Sequence, residues 1–280
     1  MSSPAASFDA AILLSAQHEV SPKPVTLAEG AVLSMRYSRI LLKLSGQAVS
    51  GPADFGFDPD SLEHIAEQVL RLHDEGVEIS IVIGGGNIFR GNVASQWGIE
   101  RAEADNIGMM GTIINSLMLR GVLTATSGSE VEVRVMTAIP VNAVAEPFIR
   151  LRAIHHLEKG HIVIFAAGTG NPYVTTDYAA AQRAIETRSQ ALLVAKNQVR
   201  GIFTADPRTE ESARMYRRMS YDTIIRENLT IVDQQSIILA RDHRLPIHVF
   251  DFAAKTTVTR ICQGEDPGTF VGRDEKDQLE

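Results

Sequence analysis

The sequence predicts an α/β fold built on a mainly parallel sheet. From Met35 onward, short continuous apolar runs alternate with stretches of helical periodicity. The helical stretches carry recognisable start and stop residues. Clusters of glycine and hydroxyl residues follow the apolar runs. Strands alternating with helices imply crossover connections, and these generate parallel neighbours with right-handed crossings.

Residues 37–44, YSRILLKL, form the first strand, an apolar run bounded by glycine. A helix follows over 58–76, where Leu62, Ile65, Ala66, Val69 and Leu70 repeat at helical spacing. Asp58 caps it, Pro59 takes its first position and Gly76 ends it. Residues 77–87 hold the next strand and close on three glycines. A long helix near 101–124 precedes a strand at 131–137, and a helix near 144–157 leads to a strand at 161–171. A helix near 177–187 and a strand at 191–195 complete the alternation, with no sustained repeat or low-complexity tract.

The chain has 280 residues, 44% hydrophobic and 22% charged, enough for a substantial core. A net charge of −7 argues against a general nucleic-acid binder, whose footprint is basic, but not against nucleotides held by a local cluster of donors. The lone Cys262 excludes an intrachain disulfide and fits a reducing compartment, the cytoplasm. No apolar stretch approaches the ~20 residues of a membrane span. Residues 1–34 hold three prolines and one lysine, and AAILLSA follows Asp9 where a secretory signal would have a basic start. They read as a flexible N-terminal extension, with one domain over 35–272 and a C-terminal tail over 273–280.

In open α/β sheets, ligands bind beyond the carboxyl ends of the strands. There the sequence places Lys43-Leu44-Ser45-Gly46, then Gly84-Gly85-Gly86-Asn87 with Arg90, then Gly168-Thr169-Gly170-Asn171-Pro172 with Thr175-Thr176-Asp177, then residues 196–207. Successive backbone N–H groups and helix N-termini make concave anion sites. Gly46 lets the backbone approach a phosphate that Lys43 neutralises. GGGN alone is an ordinary turn, and neither the dinucleotide fingerprint nor the P-loop pattern is present. Four such clusters at four strand ends point to phosphate chemistry.

Together, RILLKLSG, IVIGGGNIFRG, AAGTGNPYVTTD, GIFTADP and LARDHRLPIHVF resemble the bacterial uridylate kinases of the amino-acid kinase superfamily. The likeness runs from Met35 to Val271. It implies a three-layer αβα sandwich, a homohexamer, and transfer of the γ-phosphoryl group of ATP to UMP with Mg²⁺. It also implies activation by GTP and inhibition by UTP.

The resemblance assigns Lys43, Ser45, Gly46, Gly86 and Arg90 to the ATP phosphates, and Asn197, Phe203 and Asp206 to its adenosine. Gly85, Asp105, Thr169, Gly170, Asn171, Pro172, Tyr173, Val174, Thr175 and Thr176 would bind UMP, with Asp105 on the ribose hydroxyls. Gly51, Pro52, Ala53, Asp54, Phe55 and Gly56 correspond to an effector loop. Phosphoryl transfer is governed by positioning and electrostatics, so Lys43 and Arg90 would screen two polyanions. Asp177 and Asp206 read as groups orienting Lys43 or metal-bound water. No general base is required, since the UMP phosphate is already ionised.

Gln47, Asn106, Arg200 in Val199-Arg200-Gly201, and Val232-Asp233-Gln234-Gln235-Ser236 depart from the family's usual residues. They put regulation in doubt more than activity. Two other readings stay open on sequence alone, a superfamily kinase acting on a carboxylate and a nucleotide sensor without turnover. His155-His156 reads as helix surface, Arg217-Arg218 as a solvated turn, and Met109, Met110 and Met118 as core or subunit packing. Trp97 reads as exposed or at an interface.

Overall fold

The computed structural model describes residues 35–280 apart from Asp54, and only the backbone of Asn92, Val93 and Ser95. The N-terminal extension therefore lies outside the described residues. The elements run β1 (Arg39–Leu44), α1 (Gln47–Ser50), α2 (Pro59–Asp74), β2 (Glu78–Ile83), α3 (Gly91–Gln96) and α4 (Arg101–Thr126). Next come β3 (Val133–Thr137), β4 (Glu146–Pro147), α5 (Arg150–Glu158), β5 (Ile162–Ala166), α6 (Thr176–Glu186) and β6 (Ala191–Lys196). The chain ends with β7 (Tyr216–Ser220), α7 (Tyr221–Arg226), α8 (Gln234–Asp242), β8 (Ile247–Asp251), α9 (Thr257–Cys262), β9 (Thr269–Gly272) and β10 (Gln278–Leu279).

The ten strands of the described residues share one sheet in the order β10-β7-β9-β8-β6-β1-β2-β5-β3-β4. Only the β8–β9 and β10–β7 pairings are antiparallel. Central strands are apolar on both faces because helices cover both. Leu42, Leu44, Ile79 and Ile81 pack with α2, α4 and α9 side chains such as Ile65, Leu119 and Val258. Leu41, Val82 and Val163 pack on the other face with Leu157, Ala181, Ile224 and Ile237 of α5 to α8. This is the expected three-layer sandwich.

Asp58 caps α2 through Ser61 N at 2.9 Å, with Pro59 opening the helix, as the sequence indicates. The helix expected near 144–157 starts only at Arg150, because Glu146 and Pro147 are extended and pair with β3. A residue before proline is kept out of the helical region. Arg217-Arg218 is not a turn but part of β7, where Arg218 pairs with Asp266 and Glu275, each at 2.7 Å. The last residues return to the sheet edge as β10, and Glu280 meets Arg200 at 2.6 Å. The 26-residue α4 is long and apolar enough to cross a membrane by length and composition. This corrects the expectation that no apolar stretch approaches that length; 44% of its most apolar 18 residues are buried within the fold, and we read α4 as a core helix.

Candidate active site

Strands β6, β1, β2 and β5 are neighbours in the sheet, so the four glycine and hydroxyl clusters meet along one carboxyl edge. Lys43, the fifth residue of β1, is buried and lies 2.5 Å from Asp177 Oδ1 in the first turn of α6. Burial pushes the Asp177 carboxyl up. Lys43, Lys196 and hydrogen bonds from Lys43 and Asp233 outweigh this and hold it below its ordinary range. Lys196, the last residue of β6, donates to Ile231 O at 2.5 Å. Burial lowers its pKa, Asp177 pulls it back up, and Lys43 lowers it again.

Lys196 is the residue that motif reading passed over. Its signal was positional: like Lys43, it is a lysine at the carboxyl end of an otherwise apolar strand. Asp233 is another. It caps α8 by accepting from Gln235 N at 3.2 Å and also accepts from Thr175 Oγ1 at 2.8 Å. This ties the start of α6 to the segment before α8.

Ser45 lies in the turn after β1, and Gly46 is the N-cap of α1. A Cβ on Gly46 would stand 2.7 Å from Gly86 N and from Asn87 N and Oδ1, so only glycine allows this approach. Arg90 donates from Nε to Gly86 O at 3.1 Å. Gly85, Gly86, Asp105, Thr169, Asn171, Val174 and Thr176 line one cavity of ≈ 160 Å³. Thr169 Oγ1 is buried there without a hydrogen-bond partner among the described residues. Asp105 is bidentate to Arg101 Nε at 3.0 Å and accepts from Tyr173 N at 2.7 Å.

The loop between β5 and α6 is strained, with φ of 61° at Ala167 and 66° at Tyr173, neither of them glycine. Such conformations persist only when the surroundings impose them. Thr112 Oγ1 accepts from Ala167 N at 2.7 Å, and Arg183 Nη2 donates to Gly168 O at 3.2 Å. Gly170 packs on Ala138, while Pro172 is half-buried and Tyr173 exposed.

The three residues assigned to adenosine line two adjoining hollows, with Gln198 in the wall of both. Phe203 and Asp206 line a cavity of ≈ 550 Å³ with Gly201, Ile202 and Ile231. Asn197 lines the other, of ≈ 350 Å³, with Gln47, His64 and Phe252. Asp206 is bonded to the Arg208 backbone N–H and guanidinium, and these bonds hold its pKa down. Of the two aspartates read as orienting Lys43 or metal-bound water, Asp177 touches Lys43 and Asp206 is held by Arg208. In the 51–56 loop, Gly51 has φ 58° and faces Asp58, Pro52, Ala53 and Phe55 are exposed, and Gly56 pairs with Asn87; Asp54 lies outside the described residues. His155 is exposed, and His156 is half-buried against Glu146 and His161. Trp97 is exposed, while Met109 is buried.

Residues 38–251 match the amino acid kinase family. The uridylate kinase of Frankia casuarinae is 52% identical over 236 residues, spanning 84% of this chain and 90% of that protein. The uridylate kinase of Rubrobacter xylanophilus is 48% identical over 237 residues, 84% of this chain and 92% of its own length. The crystal structure of UMP kinase from Bacillus anthracis is similar with a TM-score of 0.84 at 56% identity, covering 87% of this chain and 99% of that one. The UMP kinase from Ureaplasma parvum gives 0.79 at 32% identity, covering 85% and 100%.

Proposed function

This chain belongs to the amino acid kinase family, among its uridylate kinases, and we infer that the carboxyl edge of its sheet is where ATP phosphorylates UMP to UDP. It is a nucleoside monophosphate kinase. The observation that most supports this location is the buried Lys43–Asp177 pair, with half-buried Lys196 acting on the same carboxylate, near a cavity whose Thr169 hydroxyl has no partner among the described residues.

In this reading, Lys43 and Arg90 offset the charge of the two approaching phosphates. Ser45, Gly46 and Gly86 supply further donors to ATP, and Gly85 faces UMP. Asp177 holds Lys43 in place, and the half-buried Lys196 adds a second ammonium. Preorganised charge of this kind acts without reorganisation as the phosphoryl group moves. Asp105 would accept from the ribose, and residues 169–176 would enclose the uridine and its phosphate. Phe203 and Asp206 would hold the adenosine from the larger cavity.

An ATP-dependent kinase uses a divalent metal, and we assign Mg²⁺, which shields the phosphate oxygens when bound. Among the described residues, no three His, Cys, Asp or Glu side chains converge as a metal cage. Its donors would then be phosphate oxygens and water, with Asp177 the nearest carboxylate to Lys43.

We further place the enzyme in the cytoplasm as a homohexamer inhibited by UTP, with the 51–56 loop as the effector segment for GTP activation. The outer face of α4 supports self-association. Ile107, Met110, Ile114 and Met118 are 38–45% exposed there, and no charge lies between Asp105 and Arg120. An antiparallel second copy would set Glu103 against the partner's Arg120 and cover this stripe.

The test is ADP release from Mg·ATP with UMP, CMP, dUMP, AMP and GMP, with and without GTP. Strong preference for UMP is expected, with acceleration by GTP. Silence with all five nucleotides while UMP binds would leave a sensor.

A further inference from the structure

Two buried amides beneath the phosphate loop have no part in the assignments above. Asn87 and Asn115 are both 0% exposed. Asn115 Nδ2 donates to Asn87 Oδ1 at 2.6 Å, and Asn87 Nδ2 returns a bond to Asn115 Oδ1 at 3.1 Å. The second hydrogens reach outward, from Asn115 to Gly84 O at 2.6 Å and from Asn87 to Gly56 O at 2.9 Å. Gly56 N completes the junction by donating to Asn87 O at 3.0 Å. All four amide N–H bonds are used, and a fully satisfied buried network specifies one arrangement.

The loop that this pair grips cannot set its own position. Three successive glycines have no side chains to pack and a wide range of accessible backbone conformations. The first of them is fastened at its carbonyl by Asn115, and the second lies flat on α4. A Cβ at Gly85 would be 2.5 Å from Gly108 O and 3.1 Å from Thr112 N. Gly46 rests on the same loop from the opposite side, against Asn87 and Gly86 N. The N-cap of α1, the glycine loop and α4 therefore share one polar junction, and Asn115 is its member on a regular helix.

We propose that Asn115, acting through Asn87, is a positioning residue for phosphoryl transfer: the amide pair sets the Gly84–Gly86 backbone where it meets the transferring phosphate. This rests on reading that edge as the phosphate-transfer site. Backbone donors stabilise a transition state only when they are held at the right place before reaction. UMP itself would be anchored mainly by Asp105 and the 169–176 loop, with Gly85 adding only a face of backbone. Loss of the pair therefore falls on turnover rather than on UMP affinity.

The experiment is steady-state kinetics of the full chain with Asn115→Ala, Asn115→Asp, Asn87→Ala and the Asn87→Ala/Asn115→Ala double variant. The aspartate keeps the volume but turns an acceptor toward two acceptors. Ser116→Ala, a buried neighbour bonded only within α4, is the control for generic core damage. We expect kcat to fall at least about tenfold in both Asn115 variants while the KM for UMP stays within about threefold. The double variant should lose no more than the worse single one, because the two amides act as a unit. Wild-type kcat in a folded Asn115 variant, a loss confined to KM for UMP, or multiplicative losses in the double variant would overturn the proposal. So would failure of both Asn115 variants to fold, which makes the pair structural. No UMP-dependent turnover in the wild type would instead sink the reading of the site, and the proposal with it.

Discussion

Lys43 Nζ lies 2.5 Å from Asp177 Oδ1, with only 8% and 16% of the two side chains exposed. A pair this dry pays a desolvation cost that its attraction roughly offsets, so stability alone does not explain it. Lys43→Met should lower kcat about 10²- to 10³-fold, the usual effect of deleting one transition-state donor. It should also destabilise the fold by about 3–5 kcal/mol, since Asp177 stays buried and loses its nearest cation. Adding Asp177→Asn should restore urea resistance without restoring turnover. Recovery of both together would contradict the assigned role.

Lys196→Met should do the reverse to stability. Burial depresses the pKa of Lys196 below 10.5 despite the pull of Asp177. Between the folded value and 10.5, the unfolded chain binds more protons, so stability rises with pH across that window. At neutral pH the buried ammonium is thus a net cost. The methionine variant should match or exceed the wild-type urea midpoint at pH 7, lose the alkaline rise, and turn over more slowly. A lower midpoint with unchanged kcat would make Lys196 merely structural.

Asp105→Asn should weaken UMP and spare ATP. The carboxylate joins Arg101 of its own helix to Tyr173 N of the strained loop, and in the proposed complex accepts from the ribose. Hydrogen bonds to a charged group contribute about 1.5–3 kcal/mol, so the KM for UMP should rise about 10- to 100-fold. Equal rises in both KM values would place the damage in the fold instead.

The parallel sheet and its site edge were legible because local signals agreed. Asp58, Pro59 and Gly76 bracket α2 as capping chemistry requires, and the apolar runs became central strands covered on both faces. What escaped were contacts that only topology creates. Nothing in VRG foretells that Arg200 meets Glu280, eighty residues on, because β10 returns to pair with β7. Pro147 is a readable break in the helix expected near 144–157, since it keeps Glu146 extended and lets both residues pair with β3. Lys196 was hidden for another reason: a single lysine closing a strand looks like a rim residue until its neighbours Lys43 and Asp177 are known. Asn197 enters the adenosine assignment through the family likeness alone; it directly follows Lys196, in the wall of a hollow that adjoins the cavity of Phe203 and Asp206 through Gln198.

Ile114→Glu tests the outer face of α4. Ile114 is 45% exposed at the middle of an uncharged apolar stripe. A carboxylate there would be buried without a partner if a second copy covers the stripe, which costs several kcal/mol at each two-fold contact. Sedimentation velocity should show an assembly for the wild type and smaller species for the variant, with little loss of subunit stability. Identical sedimentation of the two would remove α4 from the interface.

His248 governs a different property, the acid limit of the fold. It lies near the amino end of β8, opposite the site, where Tyr37 Oη is 3.0 Å from Nε2. Asp266 is 3.6 Å from Nδ1 and would favour the charged ring, but Arg36 and Arg218 each pair with that carboxylate. Burial, reinforced by the same two arginines, lowers the imidazole to about 3 from 6.5. The native ring therefore stays neutral while the unfolded one titrates. As pH falls from 6.5 toward 3, the unfolded state gains a proton that the native state refuses, and stability drops by several kcal/mol across that window. Replacing the ring with a neutral amide that can still bond Tyr37, His248→Gln, removes this contribution. Urea midpoints measured between pH 7 and 4 should fall less steeply for the variant, with turnover at pH 7 unchanged. Parallel slopes would mean that His248 does not set the acid limit between pH 7 and 4, a window in which Asp177 is no substitute because its depressed pKa acts only below the ordinary range of an aspartate.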